Sequence, residues 1–149
     1  MKFIADVMLG RLAKHLRLLG LDVLYDRSLG DNEIIRLSLE QERIILTRDT
    51  SLANRPLAAR HLFITSDRIR EQLDQVLGSI DPQTIIHPLT RCAVCNEPLI
   101  PVKKEDIINR VPDHVYEKKS SFLECPKCGR IYWRGTHVRK MKLQSRLHL

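Results

Sequence analysis

No apolar run in the 149 residues approaches the roughly 18 needed to cross a bilayer, which argues against a membrane-spanning helix. The opening stretch, Met1-Lys2-Phe3-Ile4-Ala5-Asp6, puts an acid where a signal peptide needs an apolar core. No export signal is expected, and the expected address is the cytoplasm. Cysteines number only 4, and in that reducing compartment so few read as metal ligands rather than as a disulfide framework. Internal repeats and long low-complexity tracts are absent as well, which leaves an ordered globular chain. Acids are missing altogether between Cys125 and Leu149, a stretch with seven Lys and Arg side chains. A segment so one-sided in charge is expected to meet a polyanion.

What is present suffices for one good core and a small second unit, with apolar residues making up 43% of the chain. Charge divides it in two. Residues 1–89 hold 12 basic and 12 acidic residues, whereas residues 90–149 hold 13 and 6, so the net +7 lies in the second part. Two domains are expected, 1–89 and 90–149.

Along the chain, Lys2 to Ala5 reads as a strand ending at Asp6. Leu9, Leu12, Ala13, Leu16 and Leu19 follow helical spacing, and Gly20 stops that helix. Asp22 to Tyr25 reads as a second strand. Gly30 breaks the chain, and Asp31 can cap a helix with the apolar stripe Ile34, Ile35, Leu37 and Leu39. Ile44-Ile45-Leu46 is a β-branched run without polar alternation, as expected of a strand covered on both faces. A short helix after Asp49, a strand at His61 to Thr65, and a helix capped by Ser66-Asp67 and running to Leu77 complete the order βαβαβαβα. That order implies an α/β fold, a parallel sheet with helices on both faces. Asp81 to Pro88 reads as a linker. Beyond it, short strands are expected at 99–102, 121–124 and 130–133, a helical turn at 105–110, and a basic helix at 138–149.

Cys92-Ala93-Val94-Cys95 and Cys125-Pro126-Lys127-Cys128 place four thiolates in two tight knuckles, which suits tetrahedral Zn²⁺ in a small β-rich ribbon. Two redox CxxC motifs or disulfides are the competing reading. Four cysteines leave no position for water, so this zinc is expected to be structural, and His114 or His137 would serve only if a cysteine does not. The cations Lys127, Arg130, Arg134, Arg139 and Lys140, with Tyr132 and Trp133 among them, can hold phosphates and stack on unpaired bases. The alternative is that Tyr132 or Trp133 covers the ribbon's small core.

In an open parallel sheet, ligands bind beyond the carboxyl ends of the strands. Asp6, Asp26, Asp49 and Asp67 each follow a strand there; Asp31 opens the helix entering strand three, and Glu33 lies close by. Taken singly, such aspartates read as helix N-caps. Taken together, converging carboxylates repel one another unless a cation neutralises them, and the hard ions Mg²⁺ or Mn²⁺ are the natural partners. Such a site can activate water and steady the charge on a phosphodiester.

Phe3-Ile4-Ala5-Asp6 followed by Met8 to Gly20, Ile45-Leu46-Thr47-Arg48-Asp49, and the paired CxxC motifs ending in Cys128-Gly129-Arg130-Ile131-Tyr132-Trp133 together resemble the Mut7-C RNase domain family. This is a branch of the PIN-like nucleases with an appended zinc ribbon. The resemblance covers nearly the whole chain. It implies a PIN-like three-layer α/β/α sandwich and a metal-dependent ribonuclease, with RNA as partner. Asp6, Asp31 and Asp49 would be its catalytic, metal-holding acids. Asp67, Asp26 and Glu33 compete for the place of a fourth acid, which no residue matches cleanly. His15 departs from the family's usual aromatic residue. Arg11 and Arg48 are candidates to hold phosphate, or else solvated ion-pair partners. A non-catalytic RNA- or ribosome-binding adaptor is the rival reading. A phospho-acceptor receiver is disfavoured, since only Asp6 stands where an acidic pair is needed.

Overall fold

The computed structural model describes residues 1–135, and the expected basic helix at 138–149, with His137, Arg139 and Lys140, lies outside them. Four short strands, β1 (Lys2–Ala5), β2 (Asp22–Leu24), β3 (Ile44–Thr47) and β4 (His61–Phe63), form one sheet in the order β2-β1-β3-β4. Every pairing is parallel, with Phe3 between Val23 and Ile44 in register. Side chains alternate across the sheet. Phe3, Ala5, Val23 and Leu46 face one side, where they meet Leu12, Ala13 and Leu16 of α1 (Gly10–Leu18) and Leu73, Val76 and Leu77 of α4 (Ile69–Ser79). Ile4 and Ile45 face the other, against Ile34 and Ile35 of α2 (Asp31–Gln41) and Leu52 of α3 (Thr50–Ala53). Helices cover both faces, as the chain order predicts.

The differences are local. In α2 the buried positions are Ile34, Ile35 and Ser38, whereas Leu39 is 54% exposed. Helical spacing of 3.6 carries the stripe from 34 to 38, and Ser38 satisfies its hydroxyl on the Arg43 carbonyl. Gly30, not Asp31, is the N-cap, with the Glu33 carboxylate accepting from the Gly30 N–H at 3.1 Å. Helix α4 begins at Ile69, and it is the Ser66 hydroxyl, not Asp67, that accepts the Arg68 N–H. Residues 81–88 form no helix or strand but are more than a linker: Ile86 is buried in the sheet's core, and Leu89 N–H donates to the Leu18 carbonyl at 2.9 Å. Gly20 makes this approach possible, because a Cβ there would stand 2.0 Å from the His87 carbonyl oxygen, and its φ is +89°.

The second sheet is antiparallel, in the order β5 (Ile100–Val102), β6 (Phe122–Glu124), β7 (Ile131–Tyr132). It packs with Ile107, Val111, Val115 and Phe122 as a small core of its own. The expected helical turn is a 3₁₀ turn at Lys104–Ile107. A short helix, α5 (Asp113–Lys118), had no signal, since Val115 is its one buried residue and six positions give no period to read. Among the described residues no helix is long and apolar enough to cross a membrane.

Candidate functional site

In the strand order β2-β1-β3-β4 the chain leaves β1 first to one side and then to the other, so the topological switch point lies between β1 and β3. Asp6 follows β1 directly, and Thr47, the last residue of β3, is followed by Arg48 and Asp49. Asp6 is 3% exposed. Its Oδ1 accepts the Val7 N–H at 2.7 Å, and its Oδ2 accepts the Thr47 hydroxyl at 2.8 Å. The same Thr47 oxygen accepts the Asp49 N–H at 2.9 Å. Thr47, fully buried, therefore ties the ends of β1 and β3 together through the Asp6 carboxylate and the Asp49 backbone. Asp49 also caps α3, its Oδ1 accepting the Ser51 N–H at 2.8 Å.

Asp31 reaches this edge from α2, as that helix's first residue, half-buried and in no hydrogen bond or ion pair among the described residues. None of Asp6, Asp31 and Asp49 is paired with a Lys or Arg among the described residues. The three do not gather within the 4.8 Å that brings the cysteines together. Of the other acids, Asp26 closes a turn on the Ser28 N–H and hydroxyl, which hold its carboxyl below the usual range. Glu33 is taken up by the Gly30 cap, and Asp67 is exposed after β4. Arg11 is exposed on α1. Arg48, next to Asp49 in the chain, is half-buried, and its Nη1 is wholly buried without a hydrogen-bond partner among the described residues. A buried guanidinium N–H left unpaired is costly.

Cys92, Cys95, Cys125 and Cys128 have their sulfur atoms within 4.8 Å of one another. Four sulfurs at about 2.3 Å from a tetrahedral Zn²⁺ stand about 3.8 Å apart. Cys92 and Cys128 are 3.7 Å apart, so the set can bind a structural zinc. The two knuckles repeat one geometry. Cys92 N–H donates to the Glu97 carbonyl and Cys125 N–H to that of Arg130, while Asn96 and Gly129 N–H return to Cys92 and Cys125. Asn96 and Gly129 both lie in the left-handed region, φ +65° and +76°. Burial pushes the Cys92 thiol up, but hydrogen bonds from Tyr132 and from the backbone N–H groups of Cys95 and Val94 outweigh it, leaving it at about 7. Burial, with the neighbouring sulfurs, pushes Cys95 up to about 12.

Three residues hold this cluster that the spacing did not reveal. Tyr132 accepts the Ala93 N–H at 3.0 Å and sets its hydroxyl 3.1 Å from Cys92 Sγ; burial first, and then Cys92, raise its pKa, so the phenol remains a donor. Its polar end thus serves the cluster. Arg17, buried in α1, donates from Nε to the Val23 carbonyl and from Nη1 to the Ala93 and Val94 carbonyls. Asn96 accepts the Val23 N–H and donates to Asp22 Oδ1. No motif announces an arginine or asparagine in such a role; the positive φ required after the second cysteine was the one available hint. Trp133 packs edge-to-face on Phe122, ring centres 6.4 Å apart. Lys127, Arg130 and Arg134 are exposed.

The family model of the Mut7-C RNAse domain matches residues 1–144. No curated protein matches, and no solved structure does.

Proposed function

Because the chain belongs to the Mut7-C RNAse domain family, we propose that it is a divalent-metal-dependent ribonuclease, with a PIN-like catalytic unit over residues 1–89 and a zinc-ribbon unit over residues 90–149. The supporting observation is the pair Asp6 and Asp49, joined through Thr47 at the switch point of the sheet and left without a cationic partner among the described residues. A carboxylate as buried as Asp6 with no countercharge favours a cation close by. The donor set is all oxygen, which fits Mg²⁺ or Mn²⁺. Mg²⁺ keeps several waters and takes one or two carboxylates directly, so acids that do not all lie within 4.8 Å still serve. Asp6, Asp31 and Asp49 would hold the ion, whose chemistry when bound is to lower the pKa of water and to steady phosphodiester charge. Thr47 fixes the Asp6 carboxylate, and Arg48, half-buried just after β3, is the candidate to hold a phosphate oxygen. Arg11, Lys127, Arg130 and Arg134, with Arg139 and Lys140 beyond the described residues, carry the charge that draws RNA. Reduced cysteines holding zinc suit the cytoplasm.

The test is cleavage of single-stranded RNA that depends on Mg²⁺ or Mn²⁺ and is lost in Asp6→Asn and Asp49→Asn proteins that still fold. Cleavage surviving both substitutions overturns the assignment. A second reading, a non-catalytic RNA- or ribosome-binding adaptor, is favoured by the fact that both oxygens of Asp6 already accept protein hydrogen bonds. It predicts binding without cleavage, indifferent to either change.

A further inference from the structure

Three grooves meet around Trp133, with volumes of about 470, 280 and 770 Å³. The first two run between α1 and the cysteine-bearing unit; the third lies across β5 and β6. Their walls include Lys14, Arg130, Lys118, Lys119 and Arg134, in no ion pair among the described residues, and Arg110, which pairs with Glu124; among the described residues no Asp or Glu lines any of the three. Such uniform sign in a chain with 25 basic and 18 acidic residues is a built field. Between these cations the walls mix apolar side chains with the hydroxyls of Thr90, Ser120 and Ser121, and Tyr132 and Trp133 are common to all three grooves. Its edge-to-face packing on Phe122 covers at most one face of the indole.

We propose that these grooves are one track for an unpaired RNA strand, with phosphates on Lys14 and Arg130 on one side and on Lys118, Lys119 and Arg134 on the other, and a base against Trp133. The proposal rests on the ribonuclease reading for its choice of polyanion. Unpaired rather than duplex RNA follows from the recessed aromatic wall, since the bases of an A-form helix are stacked on one another and cannot present a face to it. An acidic peptide would meet the cations but has no use for the indole. Helix α1 also gives the track a direction. Lys14 lines two grooves, and Arg11, three residues earlier on the same exposed face, stands one turn nearer Asp6. A strand leaving the grooves along α1 therefore arrives at the carboxylate edge.

Trp133 is the only tryptophan in the chain, so its emission reports on the track directly. The full-length protein is titrated with a short 2′-O-methyl oligouridine, which cannot be cleaved through its 2′ position, without added Mg²⁺. Saturable quenching is expected. Lys14→Ala and the double change Lys118→Ala/Lys119→Ala each weaken it, by about fivefold per phosphate contact at about 0.1 M salt, and reduce the salt slope by about 0.7 per contact. Arg70→Ala, an exposed cation on α4 away from the grooves, leaves it unchanged. Binding that ignores the lysine changes, or quenching and competition by polyglutamate equal to that by the oligonucleotide, overturns the track. If RNA is not cleaved but the lysine dependence holds, the ribonuclease reading falls and the track stands. If RNA is cleaved while the lysine variants bind like the parent, the track alone falls.

Discussion

Replacing Thr47 by Val tests whether the two acids are coupled as drawn. The shape is nearly kept and the hydroxyl lost, and with it two hydrogen bonds, one donated to the Asp6 carboxylate at 2.8 Å and one accepted from the Asp49 N–H at 2.9 Å. A bond to a charged group contributes about 1.5–3 kcal/mol, and a neutral one about 1 kcal/mol. Burying the added methyl returns about 0.8 kcal/mol. The net loss is roughly 2–3 kcal/mol, or about 6–9 °C in melting temperature for a chain of this size. Thermal and urea unfolding followed by circular dichroism would measure it. In an Asp6→Ala background the charged acceptor is already gone, and the neutral bond of about 1 kcal/mol is nearly offset by the methyl's about 0.8 kcal/mol, so the same change should cost only about 0.2 kcal/mol, a coupling of about 1.5–3 kcal/mol between the two positions. Thr47→Ser, which keeps the hydroxyl, should fall within about 1 kcal/mol of the parent. A Thr47→Val protein as stable as the parent, or one equally weakened in both backgrounds, would refute the linkage of β1 to β3 on which the proposed active site depends.

Arg17→Met removes the donors to the Val23, Ala93 and Val94 carbonyls from a buried position, and should lower stability by roughly 3 kcal/mol and speed the transfer of zinc to a coloured chelator; zinc release at the parent's rate would show that Arg17 does not hold the knuckle. Stripping zinc should make all four thiols react with a thiol reagent and abolish amide-exchange protection in β5, β6 and β7, leaving that in β1 and β3 largely intact. Asp22 titrates below the ordinary carboxylate value of 3.8: burial pushes it up, but hydrogen bonds from Arg43 and Asn96 and the charges of Arg43 and Arg91 outweigh that. Its folded pKa being depressed, its contribution is present above about pH 4 and is lost as the pH falls through the folded value, so Asp22→Asn should flatten the acid limb of stability against pH.

The parallel sheet was legible because its strands are short β-branched or aliphatic runs with an acid or turn after each, and the four cysteines because their spacing allows little else. Positions where a side chain's role is set by one specific partner, near or far in sequence, were not. Leu39 fits an apolar stripe by type, but the helix turns it to solvent and buries Ser38, whose hydroxyl donates to the Arg43 carbonyl in the turn that follows the helix. Glu33 and Asp31 exchange the roles that composition assigns, because a glycine cap leaves its own N–H for the residue three later. Tyr132 reads in sequence only as an aromatic among cations, and nothing in it announces a hydroxyl set against Cys92. Thr47, the residue that joins the two acids, is indistinguishable in sequence from any β-branched strand residue.

The knuckle positions Asn96 and Gly129 show how one backbone requirement was met in two ways. Both residues carry positive φ after the second cysteine of a pair, where glycine is the least strained choice. Gly129 needs nothing more there than room. At position 96 asparagine tolerates the same conformation and adds an amide, which takes the N–H of Val23 in the outermost strand and donates to Asp22. The side chain that a glycine would lack is thus what seats the cysteine-bearing unit on the edge of the sheet. Arg17 locks the same seat from α1. Seated against Asp22 and Val23, at the amino end of β2, that unit stands at the far end of α1 from Asp6, a helix of nine residues or about 14 Å. The carboxyl edge between β1 and β3 is thereby left to the acids, with the exposed face of α1 lying between them and the cysteine-bearing unit.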